Sequence, residues 1–401
     1  MVTNMETFRA INPRSASEID WSGFREQMPV AKKWAYFDHA CVAPIPQVAA
    51  DAIAKWAHES LLEGDVVWKR WESQHENLRH LTAQVINAAP QEIALVPNTT
   101  FGINLVADGF PWVAGDNVVL PAHEFPSNVY PWMALAERGV ELRIVDLDGH
   151  AVTPQRIADA CDDRTRIVSS SWIGYASGYR IDPAEIAQVA HDHDALFFLD
   201  AIQGLGVHAL DVQAAGVDFL AADGHKWLLG PEGAGVFYCR RDLLEMLRPM
   251  NVGWNSVKQG NDFSRVDLDV RDSANRYEGG TQNMVGFIGL NASLQLLMDF
   301  GLSSNQSPIA EKVLAYSDEV CAALESAGAI VLSDRGHDTR SGIISFDIPG
   351  RTSDQVKSEL LGKGVVVSQR AGRLRVSAHC YNDDNDLDRL VEAVRASQSA
   401  P

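Results

Sequence analysis

Short apolar runs alternate with helix-length intervals between residues 93 and 238. The runs fall at 93–96, 118–120, 142–145, 167–168, 196–199, 219–221 and 235–238. Several are apolar throughout, more than a sheet wetted on one face requires. The pattern predicts a largely parallel α/β sheet of seven strands with helices on both faces. One connecting interval reads clearly as a helix: Asp182-Pro183 opens it, and Ile186, Val189 and Ala190 form its apolar stripe.

Two amphipathic helices are predicted upstream. Ile53, Trp56, Ala57 and Leu61 recur at helical spacing in the first. Trp68, Trp71, Leu78, Leu81, Val85 and Ile86 form a broad apolar face in the second. The tryptophans suit a core or a dimer contact better than a pocket wall. Downstream, 251–280 is polar and glycine-rich, an excursion suited to a site or an interface. A helix near 283–298 leads out of the large unit. A smaller α+β unit follows, with helices after Pro308 and around 387–394 and strands near 329–332, 342–348, 365–368 and 373–378. The expected division is 1–30 as an N-terminal segment on the small domain, 31–290 as a large domain and 291–401 as the small domain.

Composition narrows the class. Hydrophobic residues make up 46% and charged residues 22% of 401, enough for a large core. The formal net charge of -19 argues against a general nucleic-acid or anionic-membrane binder. Five scattered cysteines, at 41, 161, 239, 321 and 380, make neither a disulfide framework nor a metal motif. The start lacks a secretory pattern, and no run approaches the about 20 apolar residues of a membrane span. A reduced, cytoplasmic protein without a metal is expected.

The sharpest local feature is Phe197-Phe198-Leu199-Asp200-Ala201-Ile202-Gln203-Gly204, an apolar strand ending in an acid. Such an acid sits at the carboxyl edge of the sheet, where open α/β folds place ligands. Asp223-Gly224-His225-Lys226-Trp227 follows another strand end. Taken singly, these are a turn acid and a solvated lysine. Asn98-Thr99-Thr100 opens a helix, whose first amides suit a phosphate, although a threonine there is also an ordinary cap.

The ordered set resembles the class V aminotransferase family of pyridoxal-phosphate (PLP) enzymes, of fold-type I. The resemblance runs from Tyr36-Phe37-Asp38-His39-Ala40 to Arg373-Leu374-Arg375-Val376-Ser377. It implies a cofactor Schiff base on Lys226, which then moves the substrate α-proton. Asp200 pairs with the pyridine nitrogen, so that the ring stays an electron sink. Gln203 bonds the ring oxygen, and Thr99, Thr100 and His225 bind the phosphate. Asp223 stands where many relatives have serine, and a carboxylate there repels phosphate. Phe125 stacks on the ring where desulfurases carry histidine. Trp172 and Tyr175 line the substrate edge, and Arg375 clamps a substrate carboxylate with its planar donor pair. Thr281 reaches the phosphate of a neighbouring subunit, which implies a homodimer.

The reaction is less constrained. Desulfurases carry a nucleophilic cysteine before the final arginine-bearing strand, and 365–372 contains none. Cys41 reads as small-residue packing. The Phe125-Pro126 pair and the Trp172 segment look closer to isopenicillin-N-epimerase-like members. Aminotransferase is the conservative expectation. Epimerase or carbon–sulfur lyase is the alternative, and a PLP-bearing binding protein with little turnover is a third.

Overall fold

A computed structural model describes residues 16–149 and 151–398. The start of the expected N-terminal segment, 1–15, lies outside the described residues. The chain opens with helix α1 (Trp21–Glu26), capped by the Asp20 side chain, and strand β1 (Ala35–Tyr36). Helices α2 (Gln47–Glu63) and α3 (Trp68–Val85) match the two amphipathic patterns. Alternation then sets in: β2 (Ile93–Val96), α4 (Thr99–Gly109), β3 (Asn117–Pro121), α5 (Tyr130–Met133) and β4 (Glu141–Val145). Next come α6 (Pro154–Ala160), β5 (Thr165–Ser171), α7 (Pro183–Asp192), β6 (Leu196–Asp200), β7 (Phe219–Asp223) and β8 (Gly235–Cys239).

These strands form one seven-stranded sheet in the order β2-β8-β7-β6-β5-β3-β4. Only β8 runs against the rest, pairing antiparallel with both β2 and β7. Each predicted apolar run became a strand. β2, β3, β7 and β8 are buried at every position, because the two faces are covered by separate apolar clusters. Edge strand β4 is the exception, with Glu141 and Ile144 exposed.

Helix α8 (Met284–Asp299) leads into the C-terminal part. There α9 (Pro308–Ser326), β9 (Ile330–Val331), β10 (Ile343–Asp347), α10 (Ser353–Gly362), β11 (Val365–Val366), β12 (Ser368–Arg370), β13 (Arg373–Ser377) and α11 (Asp384–Gln398) follow. A four-stranded antiparallel sheet, β12-β13-β10-β9, packs on these helices around a third apolar cluster.

One segment crosses the expected partition. β1 pairs in parallel with β11, and Ala35 and Phe37 are buried in the C-terminal cluster. Residues 35–37 therefore pack with the smaller sheet, although the sequence assigns them to the large unit. Two residues cannot form an independent strand, so local pattern gave no sign of this pairing. Arg25 also reaches the C-terminal part, donating to Tyr381 O at 2.7 Å and to Asp386 at 2.8 Å.

The 251–280 excursion is held from beneath. Arg79 Nη1 lies 2.6 Å from Glu278 Oε1, and Arg79 Nη2 lies 3.1 Å from Glu278 Oε2. Glu278 also accepts from the Leu95 amide at 2.8 Å. Gly279 is required next to it, since a Cβ there would come within 1.6 Å of Asn251 O. No local pattern points to this buried pair, because its partners lie far apart along the chain.

Candidate active site

The parallel strands all end at one edge of the large sheet, and the loops leaving that edge build a cavity of about 310 Å³. Asn98, Thr99 and Thr100 follow β2, Phe125 and Ser127 follow β3, and Tyr175 follows β5. Asp200, Ile202 and Gln203 come from the end of β6, and Asp223, His225 and Lys226 from the end of β7. Arg370 and Arg375 enter from β12 and β13 of the smaller sheet, and Ala40 and Cys41 from the loop after β1. The site is a seam between two sheets, at the position the open α/β rule predicts.

Lys226 is 8% exposed, and its Nζ forms no hydrogen bond or ion pair among the described residues. Its Nζ lies 5.5 Å from the Phe125 ring centroid. Burial lowers the ammonium to about 8, and the Asp200 charge partly opposes this. Asp200 is buried and accepts from the Ile202 amide at 3.1 Å. Burial pushes its carboxyl up to about 6, opposed by that amide and by Lys226. A buried amine and a buried carboxyl, each poised near neutrality, are typical of groups that do chemistry.

Asn98 accepts from the Phe101 amide at 2.8 Å and caps α4. The first amides of a helix have no intrahelical acceptor, so those of Thr99 and Thr100 remain for an anion. Thr99 Oγ1 is engaged elsewhere, accepting from the Asp223 amide at 2.9 Å. Thr100 Oγ1 donates to Ser127 Oγ at 2.8 Å. His225 Nδ1 approaches Asp223 Oδ1 to 3.1 Å, too obliquely for a hydrogen bond, and both atoms lack a hydrogen-bond partner. The imidazole thus stands against the carboxylate whose repulsion toward phosphate the sequence predicts.

Phe125 is 39% exposed and meets Tyr175 edge-on, with centroids 5.2 Å apart. Next to Phe125, Glu124 is half-buried and accepts from the Ser171 amide at 2.7 Å, from the Ser171 hydroxyl, and from Asn128 at 3.1 Å. Burial raises Glu124 to about 7 against those donors, with Asp200 adding to the rise. Sequence reasoning missed Glu124, although its place beside Phe125 was visible.

Trp172 lies outside the cavity, and so does Thr281, which is expected to serve a neighbouring subunit. Trp172 is buried beneath the turn after β6, where a Cβ on Gly204 would come within 2.3 Å of its ring. Thr281 lines a second cavity of about 330 Å³, with Trp68, His75, Arg79 and Trp254. Cys41 goes the other way. It is not packing, since it lines the site and accepts from Arg370 Nη2 at 3.0 Å.

The residues fit PLP. An unpartnered buried amine faces a buried carboxyl, an aromatic face stands beside it, and helix amides with orphaned His225 and Asp223 atoms lie on the phosphate side. Among the described residues no cluster could hold a metal ion, and no helix is long and apolar enough to cross a membrane.

Comparison with known proteins agrees with this geometry. The Aminotransferase class-V family matches residues 35–390. A probable cysteine desulfurase of Methanothermobacter thermautotrophicus is 33% identical, over 92% of this chain and 96% of the relative. The apo structure of a cysteine desulfurase from Thermococcus onnurineus NA1 superposes with a TM-score of 0.84 at 22% identity, covering 96% of this chain and 98% of that one. The cystine C–S lyase C-DES, solved with glycine covalently linked to its PLP cofactor, gives 0.86 at 23% identity over 92% and 98%. These superpositions show the α/β fold of such enzymes. With the family matched across most of this chain, the protein belongs to the aminotransferase class-V family.

Proposed function

We propose that the protein is a PLP-dependent enzyme acting at the α-carbon of an amino acid, and that its reaction is carbon–sulfur bond cleavage. The observation that carries the first part is Lys226, buried and unpartnered in one cavity with Asp200 and Arg375. The desulfurase names of the full-length relatives support the second part over amino transfer. They also favour it over the epimerase reading drawn from Phe125-Pro126 and the Trp172 segment.

PLP, when bound, withdraws electrons from the α-carbon. This chain's residues do the rest. Lys226 would hold the cofactor and, as a free amine, would take the substrate α-proton on Nζ. Its lowered proton affinity suits a general base near neutral pH. Asp200 would pair with the pyridine nitrogen, Phe125 would cover the ring, Gln203 would meet the ring oxygen, and Thr99, Thr100 and His225 would hold the phosphate. Arg375 binds the substrate carboxylate, and Tyr175 closes the same edge. Trp172 acts through the β6 turn rather than on the substrate.

The proposed assembly is a homodimer in which Thr281 serves the partner's phosphate. Trp68 and Trp254 line the Thr281 cavity and are exposed, which supports an interface there. We also keep the division near residue 290, with 35–37 joined to the small domain.

The test is a spectrum of the PLP-loaded protein titrated with a panel of amino acids, with Lys226→Ala beside it. A band that shifts with sulfur-containing amino acids, with release of sulfide or persulfide, supports cleavage. A keto acid with the amino group left on the cofactor means transamination, and changed chirality means epimerisation. A shift without product means a binding protein. No band in either protein removes Lys226 from its role.

A further inference from the structure

Gln203 lines the cavity with an amide whose two ends are both engaged. Trp227 Nε1 donates to Gln203 Oε1 at 2.8 Å, and Gln203 Nε2 donates to Ala40 O at 3.1 Å. An indole nitrogen only donates and a carbonyl only accepts. The two contacts therefore admit one orientation: oxygen toward buried Trp227, nitrogen toward Ala40. One amide N–H is left for the cavity, and the oxygen is turned away from it.

Trp227 is itself held. Its ring packs on His379 (centroids 6.0 Å, 28°) and His39 (6.1 Å, 32°), and a Cβ on Gly342 would come within 3.0 Å of it. His39 Nδ1 faces Ser377 O at 2.9 Å and so carries the proton. Its Nε2 then accepts from Tyr381 Oη at 2.9 Å. Burial lowers His39 to about 4 and His379 further, so the indole sits among neutral rings.

We propose that Trp227 is a positioning residue: by holding the Gln203 oxygen, it makes Gln203 a fixed hydrogen-bond donor to the ring oxyanion of the bound cofactor. This rests on the proposed function, in which PLP occupies the cavity with its ring oxygen at Gln203. Phenylalanine in place of Trp227 keeps an aromatic ring but has no N–H, so the amide is left held by Ala40 O alone and its oxygen has lost its donor.

The experiment loads wild type, Trp227→Phe, Gln203→Ala and the double variant with PLP. It follows the pH midpoint of the visible band and PLP retention on dialysis. A donor to an anion favours the unprotonated form, so losing it moves the midpoint upward. Trp227→Phe is expected to raise the midpoint by about one unit, a tenfold change, and to weaken PLP retention. The double variant should match Gln203→Ala alone, because the two residues act through one bond. An unmoved midpoint in Trp227→Phe, or full additivity in the double variant, overturns the inference while the cofactor reading stands. Absence of any band in wild type removes the cofactor reading and this inference together. If Trp227→Phe lacks a cooperative unfolding transition, Gln203→Glu replaces it. The carboxylate still accepts from Trp227 but has no donor, so an unmoved midpoint there also overturns the inference.

Discussion

Arg375 Nη2 donates to Asp38 Oδ1 at 3.3 Å, so the guanidinium proposed for the substrate is already paired with a carboxylate of the chain. Its Nε donates to Ser368 Oγ at 3.0 Å and its Nη1 to Tyr175 O at 2.7 Å. Only 1% of the residue is exposed. Three partners hold the fork rigid, and a substrate carboxylate must share it with Asp38. Arg375→Lys keeps the charge and loses the fork. Breaking such a buried charged contact costs about 2–5 kcal/mol, or roughly 30- to several-thousand-fold. Steady-state kinetics should show that loss in kcat/KM. A change under threefold would place the substrate carboxylate elsewhere, with Arg370 the next candidate.

The Lys226 amine must be neutral to condense with PLP. Its affinity for protons is lowered to about 8, so the neutral form dominates above that pH rather than above 10.5. The rate at which a visible band forms on mixing cofactor-free protein with PLP should rise with pH to a midpoint near 8. Asp200 is the largest of the groups that hold this value up, so Asp200→Asn should move the midpoint lower. A wild-type midpoint near 10 contradicts the buried environment.

Asp200 also bears on stability. Its carboxyl titrates near 6 in the fold against 3.8 as the ordinary value, so the folded state binds the extra proton between those values. Its contribution is therefore greatest below pH ~4 and is lost as pH rises through about 6. A shift of some two units amounts to about 3 kcal/mol. Cofactor-free Asp200→Asn should be more stable than wild type at pH 7, and this advantage should shrink toward pH 4. Denaturant melts at the two pH values check both signs. Equal gaps at both would show that Asp200 ionises freely.

The Arg79–Glu278 pair gives a second stability test. Arg79→Met leaves a buried carboxylate with the Leu95 amide but no cation. Breaking one side of such a pair costs about 3–5 kcal/mol, while replacing both partners with apolar groups is often near neutral. Urea melts should show a large loss for Arg79→Met and a clear recovery in the Arg79→Met, Glu278→Met double variant. No recovery would mean that the Leu95 amide needs Glu278 more than Arg79 does.

Much of the site was legible because strand ends are local. An apolar run followed by Asp200, or by Asp223-Gly224-His225-Lys226, states both a strand and what its carboxyl end presents. The parallel sheet then gathers those ends without further instruction. Trp172 stands at the substrate edge only by resemblance, and a resemblance does not say which side of a turn a large ring fills. Here Gly204 leaves the space beneath, and the ring takes it.

The sequence by itself determined the seven strands, the helices between them and the residue types at each strand end, since hydrophobic period and cap chemistry act over a few residues. Tertiary structure alone decided the rest. It set β1 beside β11, Arg79 under Glu278, Asp38 on Arg375, Cys41 on Arg370 and Trp227 on Gln203. Each of these joins positions far apart in the chain or on different elements. Their energy comes from burial and pairing once the sheets have met, and no local pattern carries that information.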